Sequence, residues 1–313
     1  MDCHPVADSP EVLHNFLPFF RIFKDGSVEK FLQTPFIPPS DDPNAISGGV
    51  RSKDVFISPG NKVGARLFLP RTIKADEKQK LPLLVYFHGG AFVIESAFSV
   101  QYHNYLSSLV AEANIIAVSI EYRLAPEHPM PACFDDSWTM INWVTSHAKT
   151  RQGPESWINN HANFTKVFFA GDSAGANIAH NMAAKASQHS LGDGVKLLGL
   201  ILMHPSFGNG QPHKLWELIC PDLNGWDDPR LHPMAHRSLL SSLVCSKILI
   251  CISEKDSLRQ RGWLYYEALK NSGWEGELDF LEIEDEGHVF HLLNPNCDNA
   301  KILMKRVDSF LTA

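Results

Sequence analysis

The sequence lacks the patterns that mark several common classes of protein. It contains no H-E-x-x-H motif, and its six cysteines and fifteen histidines form no cluster with zinc-ligand spacing, so we expect no metal site. It contains no G-K-[ST] phosphate loop, and Gly208 and Gly210 lack the third glycine of a dinucleotide-binding loop. No apolar run approaches the roughly 18 residues of a membrane-spanning helix. We therefore expect neither a cofactor nor a membrane span.

Charge and cysteine placement narrow the choice of partners and compartment. The 313 residues carry a formal net charge of −7, which argues against nucleic acid or an anionic membrane as a partner. The cysteines form no C-x-x-C pair, and Cys251 lies in a predicted buried strand, which favours reduced thiols. The N-terminal residues lack a basic region followed by an apolar segment, so no secretory signal is predicted. These features predict a cytoplasmic protein, monomer or homodimer, whose partner is a small molecule.

One serine lies between small residues at the end of an apolar run. Ser173 is the centre of Gly171-Asp172-Ser173-Ala174-Gly175, with the strand-like residues 167–170 before it and a helix-like stretch after it. A serine hydroxyl becomes a useful nucleophile when it projects from a strained turn, with a base and amide donors nearby. Glycines on both sides let that turn form without blocking a substrate. The G-x-S-x-G pattern alone is weak evidence, because glycine and serine are common in loops.

A second glycine-containing turn lies upstream. The apolar run Leu81–Phe87 is followed directly by His88-Gly89-Gly90-Ala91. Glycines there let consecutive backbone N–H groups turn toward a developing alkoxide, and the expected oxyanion donors are the amides of Gly89, Gly90 and Ala174. Two glycines after a strand, taken alone, indicate no more than a tight turn. Their combination with the serine pattern predicts a nucleophile beside an oxyanion hole.

An acid and a histidine each follow one of two later strands. The run 247–252 precedes Asp256, and the run 278–283 precedes His288. Because the carboxyl ends of parallel strands meet at one edge of a sheet, Ser173, Asp256 and His288 can converge there. His288 would take the serine proton, and Asp256 would orient the imidazole and stabilise its charged form.

Other residues of the same segments are alternatives for both roles. Glu254 or Asp285 could be the acid, and His291 could be the base. Gly287 favours His288, since a glycine allows a sharp turn into the cleft. Glu254 lies nearer the strand end, where a structural role is available to it, and we therefore favour Asp256.

Strand-like and helix-like stretches alternate through most of the chain. This alternation predicts an α/β fold, in which a mostly parallel central sheet is flanked by helices. The last helix shows a clear 3.6-residue stripe of apolar residues. We expect one domain over 1–313. The predicted strands are 81–87, 114–120, 167–170, 197–203, 247–252 and 278–283; the predicted helices are 135–147, 258–272 with Gly273 after its end, and a C-terminal helix with Ala300, Leu303, Val307, Phe310 and Leu311 on one face.

Taken together, these motifs make the chain resemble a plant carboxylesterase of the hormone-sensitive-lipase group in the α/β-hydrolase superfamily. The resemblance covers nearly the whole chain. It rests on His88-Gly89-Gly90, the residues 122–129 (YRLAPEHP), the residues 171–177 (GDSAGAN), Asp256, the residues 287–291 (GHVFH) and the N-terminal residues 19–26 (FFRIFKDG).

The resemblance implies an esterase and identifies further site residues. Substrate contacts are implied for Phe19, Phe20, Ala91, Asp172 and Val289. The N-terminal aromatic residues would line the pocket as part of a folded-over lid. The alternative for them is a helix that packs its apolar face on the core.

The same group contains proteins that are not hydrolases, and their sites differ. The gibberellin receptors lack the catalytic histidine, and 2-hydroxyisoflavanone dehydratases commonly carry threonine in place of the nucleophile. The group also includes cyclases of alkaloid biosynthesis. This chain keeps Ser173, Asp256 and His288 together. The retained set favours a serine carboxylesterase for small to medium uncharged esters; a lyase or cyclase of plant specialised metabolism, or a non-catalytic receptor, is the alternative.

The chain departs from the group's pattern in the segment that would form the cap. We expect cap elements from about 1–45 and 204–246, and the second of these is shorter than is usual in the group. Residues 208–212 contain two glycines and a proline and are predicted to form a flexible loop. A shortened cap predicts a pocket that is open to solvent beside Ser173, with a roof that is mobile or partly missing.

Overall fold

The computed structural model of the chain describes residues 11–32, 34–42, 49–58, 60, 63–71, 73, 80–150 and 153–313. The strands in chain order are β1 (Val12–Phe16), β2 (Phe20–Phe23), β3 (Val28–Lys30), β4 (Arg51–Ser58), β5 (Val63–Leu69), β6 (Leu81–Phe87), β7 (Ile116–Glu121), β8 (Ala162–Asp172), β9 (Leu197–Met203), β10 (Lys247–Ser253) and β11 (Glu277–Ile283). The helices are α1 (Val100–Ala113), α2 (Ala132–Thr150), α3 (Ser156–His161), α4 (Ala174–Gln188), α5 (Lys214–Ile219), α6 (Arg237–Ser241), α7 (Arg259–Lys270), α8 (Phe290–Leu293) and α9 (Asp298–Thr312), with a short 3-10 turn at Pro233–Ala235.

Strands β4 to β11 form one sheet in the order β11-β10-β9-β8-β6-β7-β5-β4. The five pairings from β11 to β7 are parallel, and β5 runs antiparallel to both of its neighbours. The mostly parallel sheet predicted from the sequence is confirmed. Its parallel strands all end at one edge, so the loops after β6, β8, β9, β10 and β11 lie side by side.

Alternate residues of each strand pack on opposite faces of the sheet. Leu83 and Val85 of β6 join the core that lies under α2, α4 and α7, whereas Leu84 and Tyr86 join the core under α1 and α9. With helices on both faces, neither side of a central strand meets water. This double burial explains why these strands appear in the sequence as continuous apolar runs.

The predicted helices are present with modest differences in their ends. The predicted helix 258–272 is Arg259–Lys270, and 135–147 lies within Ala132–Thr150. All five residues of the predicted C-terminal stripe are buried in α9. Within the described parts of the chain, no helix is long and apolar enough to cross a membrane.

The N-terminal region forms strands and not the helix that was considered as an alternative for it. Strands β1, β2 and β3 make a small antiparallel sheet in that order, so the helical alternative is wrong. Phe20 is fully buried and stacks on Phe16 with ring centroids 5.3 Å apart. The alternating side chains of a strand let one aromatic residue enter the core while its neighbour faces elsewhere.

The segment after β9 is better packed than its glycines suggest. Phe207 is fully buried and stacks on Tyr265 at 4.7 Å between centroids, and the Gly208 amide donates to the Leu231 carbonyl at 2.6 Å. Residues 206–213 are not helical, and α5 begins only at Lys214. An aromatic anchor and a backbone hydrogen bond thus hold the start of the segment, whereas the flexibility expected for residues 208–212 stays a prediction.

We predict that Gly175→Ala destabilises the fold. An added Cβ at this position would lie 2.0 Å from the Phe87 carbonyl oxygen, and neither backbone can move without disturbing the sheet. Such overpacking should lower the free energy of unfolding by about 1–3 kcal/mol or more, measured by denaturant titration. Gly60→Ala is the control, because nothing lies within 4 Å of its added Cβ. Equal stability of both variants would contradict the close approach of the two backbones.

Candidate active site

Ser173 occupies the sharp turn between β8 and α4. Its φ of 52° and ψ of −119° lie outside the regions that a non-glycine residue ordinarily adopts. The glycines on either side permit close backbone contacts, since a Cβ on Gly171 would lie 2.4 Å from the backbone of Gly175. The strained strand–turn–helix predicted from the sequence is present, and it directs the Ser173 hydroxyl outward at the edge of the sheet.

His288 lies between Ser173 and Asp256. Its Nε2 is 2.9 Å from the Ser173 Oγ, and its Nδ1 is 2.8 Å from the Asp256 Oδ2. Asp256 follows β10 and His288 follows β11. The parallel sheet thereby brings His288 next to Ser173, which lies 115 positions earlier in the sequence. The order of contacts is that of a nucleophile, a base and an orienting acid.

The alternative residues lie elsewhere. Glu254 accepts a hydrogen bond from the Asp285 amide at 2.9 Å, and Asp285 is an exposed residue paired with Lys255. Glu254 and Asp285 therefore make their contacts at the surface, where they stabilise the loop that carries His288. His291 is buried, and neither of its ring nitrogens has a hydrogen-bond partner among the residues that the structure covers.

The Asp256 carboxylate is buried and hydrogen-bonded on both oxygens. Its Oδ1 accepts from the Leu258 amide at 2.8 Å, and its Oδ2 faces both His288 and His204. Burial opposes ionisation, but the hydrogen bonds from His204 and His288 outweigh it and hold the pKa of Asp256 well below its usual range. The carboxylate is therefore ionised wherever the enzyme is folded near neutral pH.

His204 is a member of the site that the sequence analysis missed. It follows β9 directly, and its Nδ1 is 3.3 Å from the Asp256 Oδ2. The sequence did contain a signal for His204, because this residue lies at the carboxyl end of a parallel strand, as Asp256 and His288 do. The three side chains lie within 4.8 Å of one another, but both rings turn Nδ1 to one oxygen of Asp256. That is a hydrogen-bonding arrangement, and we assign no metal to it.

The turn after β6 provides backbone donors, but one predicted donor is already used. The Gly89 amide donates to the Tyr102 hydroxyl at 2.7 Å, so its assignment to the oxyanion hole is wrong. Gly90 and Ala91 have positive φ values of 101° and 54°, and their amides have no acceptor within the described residues. Ala174 is the first residue of α4, where an amide has no acceptor inside its own helix.

Asp172 holds this turn next to Ser173. Its carboxylate accepts from the Tyr86 hydroxyl at 2.8 Å and the Tyr102 hydroxyl at 2.9 Å. Burial raises the pKa of Asp172 to about 6, against the opposing effect of the two tyrosine hydrogen bonds. Asp172 lies at the wall of the cavity, as predicted for a substrate contact, yet both of its oxygens already have protein partners.

His88 supports the same turn from below. Its ring stacks on Tyr122 with centroids 4.2 Å apart, and the Tyr122 hydroxyl donates to the His88 carbonyl at 2.6 Å. Burial lowers the pKa of His88 to about 4, so the ring is neutral. His88 is thus a packing residue of the turn and not a second base.

A cavity of about 680 Å³ lies beside Ser173 and His288. Of the predicted contact residues, Phe19, Ala91, Asp172 and Val289 line it, whereas the buried Phe20 does not. The segment 206–213, which was expected to leave the roof mobile or partly absent, contributes none of the described lining residues. The walls are mostly apolar and come from the N-terminal region and the loops after β6 and β11; they include Leu32, Pro35, Ile94, Val100, Leu292 and Leu293.

Comparison with known proteins agrees with this architecture. The chain belongs to the family with the alpha/beta hydrolase fold, whose model matches residues 84–292. It is 42% identical to probable carboxylesterase 1 of Arabidopsis thaliana over 96% of this chain and 98% of that protein. It is equally similar to the 2-hydroxyisoflavanone dehydratase of Glycine max, at 42% identity over 96% and 99% of the two chains. The solved esterase of Pyrobaculum calidifontis is 26% identical, with a TM-score of 0.65 over 84% and 85% of the two chains.

We predict that Tyr102→Phe weakens both the fold and the site. The change removes the hydroxyl that joins the Gly89 amide to the Asp172 carboxylate, leaving a buried donor unsatisfied. The expected loss is about 1–3 kcal/mol in the free energy of unfolding, measured by denaturant titration. Turnover of an ester should fall as well, because the turn that carries Gly90 loses its anchor.

Tyr105→Phe is the matched control for this prediction. Tyr105 is an equally buried tyrosine of the same helix, but its hydroxyl contacts only the Met203 sulfur at 3.4 Å, a weak acceptor. Its loss should cost less in stability and leave turnover intact. If the two variants behaved alike, the contact between Tyr102 and Gly89 would have no special role.

Proposed function

We propose that Ser173, His288 and Asp256 are the catalytic triad of a serine carboxylesterase that acts on small to medium uncharged esters. The protein is a carboxylic ester hydrolase, in agreement with its relatives named as carboxylesterases and its esterase-like structure. The observation that carries the assignment of residues is the position of His288, at 2.9 Å from the serine hydroxyl and 2.8 Å from the carboxylate.

The proposed reaction follows from these contacts. Ser173 Oγ attacks the ester carbonyl while His288 Nε2 takes its proton, and Asp256 stabilises the resulting imidazolium. The amides of Gly90 and Ala174, with that of Ala91 beside them, donate to the oxyanion. His288 then gives its proton to the departing alcohol. Water, activated by the same imidazole, attacks the acyl-enzyme and releases the acid.

The form of the cavity supports the proposed substrate class. Its volume of about 680 Å³ lies within the range of ligand pockets, and most of its wall is apolar. Anionic substrates would lose hydration on entering such a pocket and would meet the carboxyl groups of Glu95 and Asp172 in its wall. Leu293, which is 67% exposed, and Leu32, which is 45% exposed, extend the apolar wall to the molecular surface. Esters with apolar acyl chains suit this path.

One relative supports a second candidate function. The 2-hydroxyisoflavanone dehydratase of Glycine max is as similar to the chain as the carboxylesterases are. An imidazole base beside an oxyanion hole can also promote elimination. The Ser173 hydroxyl within 2.9 Å of that base favours acyl transfer, because elimination needs no nucleophile. A non-catalytic receptor would need neither residue.

The wider setting is part of the same proposal. We place the enzyme in the cytoplasm, as a monomer or homodimer of one domain with cap elements from about 1–45 and 204–246. Its partner is a small-molecule ester, and the net charge of −7 argues against nucleic acid and membrane surfaces. Five of its cysteines are free thiols in the structure, four of them buried, which suits a reducing compartment.

We predict that Ser173→Ala abolishes ester hydrolysis with the fold intact. Turnover of p-nitrophenyl acetate and butyrate should fall by several orders of magnitude, on the order of 10³-fold or more. An organophosphate should add one adduct to the wild type by intact mass, and none to the variant. Ser146→Ala, at an exposed serine of α2, should behave as wild type. An adduct on another serine would refute the assignment, and absence of both turnover and adduct in the wild type would favour the dehydratase alternative.

We predict that losses at Ser173 and His288 are not additive. The two side chains act in one proton transfer, so the double variant with both alanines should be about as slow as either single variant. Rates with p-nitrophenyl butyrate provide the comparison. If the losses in log rate added up, the two residues would act in separate steps.

A further inference from the structure

A second histidine contacts the acid of the proposed triad. His204 Nδ1 lies 3.3 Å from the Asp256 Oδ2, the same oxygen that His288 Nδ1 approaches at 2.8 Å. The side chains of His204 and Asp256 are 0% and 1% exposed. A contact this deeply buried is not screened by solvent, so it bears directly on the charge of the carboxylate.

The surrounding acceptors fix the tautomer of His204. Its Nδ1 also lies 3.3 Å from the Ser253 Oγ, and that hydroxyl donates its own hydrogen to the Gly287 carbonyl at 2.8 Å. Two acceptor oxygens therefore face Nδ1, which places the proton there. Burial lowers the pKa of His204, so the ring is a neutral donor. Ser253 in turn fixes the backbone next to His288.

The backbone of His204 adopts a conformation that is unfavourable for a residue other than glycine. Its φ is 48°, in the left-handed region, and its amide donates to the Cys251 carbonyl at 2.7 Å. Its ring lies parallel to His291, with centroids 5.5 Å apart, and meets Phe290 edge-on at 5.8 Å. A strained backbone beside a packed ring is the kind of feature that collects at functional sites.

We propose that His204 is a positioning residue of the triad, which holds Asp256 toward His288 through the hydrogen bond from its Nδ1. The inference rests on the proposed roles of Asp256 and His288. Without this donor, the Oδ2 would keep His288 as its one partner, and the carboxylate would be free to rotate about the Oδ1 contact with the Leu258 amide. Small displacements in such a constellation reduce the rate strongly.

The donor also affects the charge balance of the site. A neutral N–H donated to Asp256 withdraws part of the negative charge that would stabilise a protonated His288. When the donor is lost, the carboxylate keeps that charge and stabilises a neighbouring imidazolium more strongly. Because the reaction needs the neutral imidazole, the acidic limb of kcat/KM should then move to higher pH. The other charged or titratable groups facing this pair are Asp172, Arg261 and His291.

The test compares two replacements of His204. His204→Ala removes the donor, and we expect kcat to fall on the order of tenfold to a hundredfold with little change in KM. The acidic limb should move upward by about half a pH unit. His204→Asn keeps an N–H donor near the position of Nδ1 and tolerates the left-handed backbone. We expect it to restore both kcat and the position of the limb.

A third variant separates packing from hydrogen bonding. His291→Phe keeps an aromatic ring against His204. It should leave the acidic limb unchanged, because burial lowers the pKa of His291 and keeps its ring neutral, and its nitrogens donate to neither Asp256 nor His288 in the described part of the chain. The NMR spectrum of the wild type should also contain a downfield Nδ1–H proton resonance that disappears in His204→Asn, while those of His288 and of other buried histidines such as His88, whose Nδ1 faces the Gly89 carbonyl, remain. That spectrum tests the donor even if His204→Ala does not fold.

The outcomes distinguish this inference from the proposed function. If the wild type hydrolyses esters through Ser173 but His204→Ala leaves kcat and the acidic limb unchanged, the positioning role is overturned. It is also overturned if the Asn and Ala variants shift the limb equally, or if no downfield resonance of the wild type is lost in His204→Asn. Loss of the proposed function itself would appear instead as a Ser173→Ala variant that is as active as the wild type.

Discussion

The close backbone approach between β6 and the start of α4 is the constraint on which the site depends. The Gly175 backbone meets the Phe87 carbonyl so tightly that no side chain fits between them. This contact sets α4 against the sheet, and the chain can then pass from β8 into α4 only through a left-handed residue. Ser173 is that residue, with a φ of 52°. The strain that exposes its hydroxyl is thus a consequence of how the helix packs.

The buried carboxylate of Asp172 connects Ser173 to the turn after β6. Asp172 is adjacent to the nucleophile, and through Tyr102 it reaches the Gly89 amide on the other side of the cleft. Two hydroxyl donors offset part of the free-energy cost of burying the Asp172 charge. The pKa of Asp172 is still raised, because they do not offset all of it. The amide of Gly89 is held in this way, and the next residues, Gly90 and Ala91, lie in the wall of the cavity.

The sequence predicted those parts of the site that depend on position along the sheet. Ser173, Asp256 and His288 each follow a parallel strand, and apolar runs identify such strands reliably because both sheet faces are buried. The sequence analysis failed where the role of a residue depends on which group it contacts in the folded protein. The use of the Gly89 amide by Tyr102 and the burial of Phe20 beside Phe16 are decided by tertiary packing, which no local pattern encodes.

Burial also separates the roles of the histidines around the triad. It lowers the pKa of His88 to about 4 and that of His180 to about 3, and lowers the pKa values of His204 and His291 in the same direction. Those rings serve as neutral packing and hydrogen-bonding groups. The His288 side chain is 33% exposed, toward the cavity, and it alone among them contacts both the serine and the carboxylate. A site rich in imidazoles therefore has one ring whose two nitrogens contact both the proposed nucleophile and the proposed acid, and that ring faces the cavity.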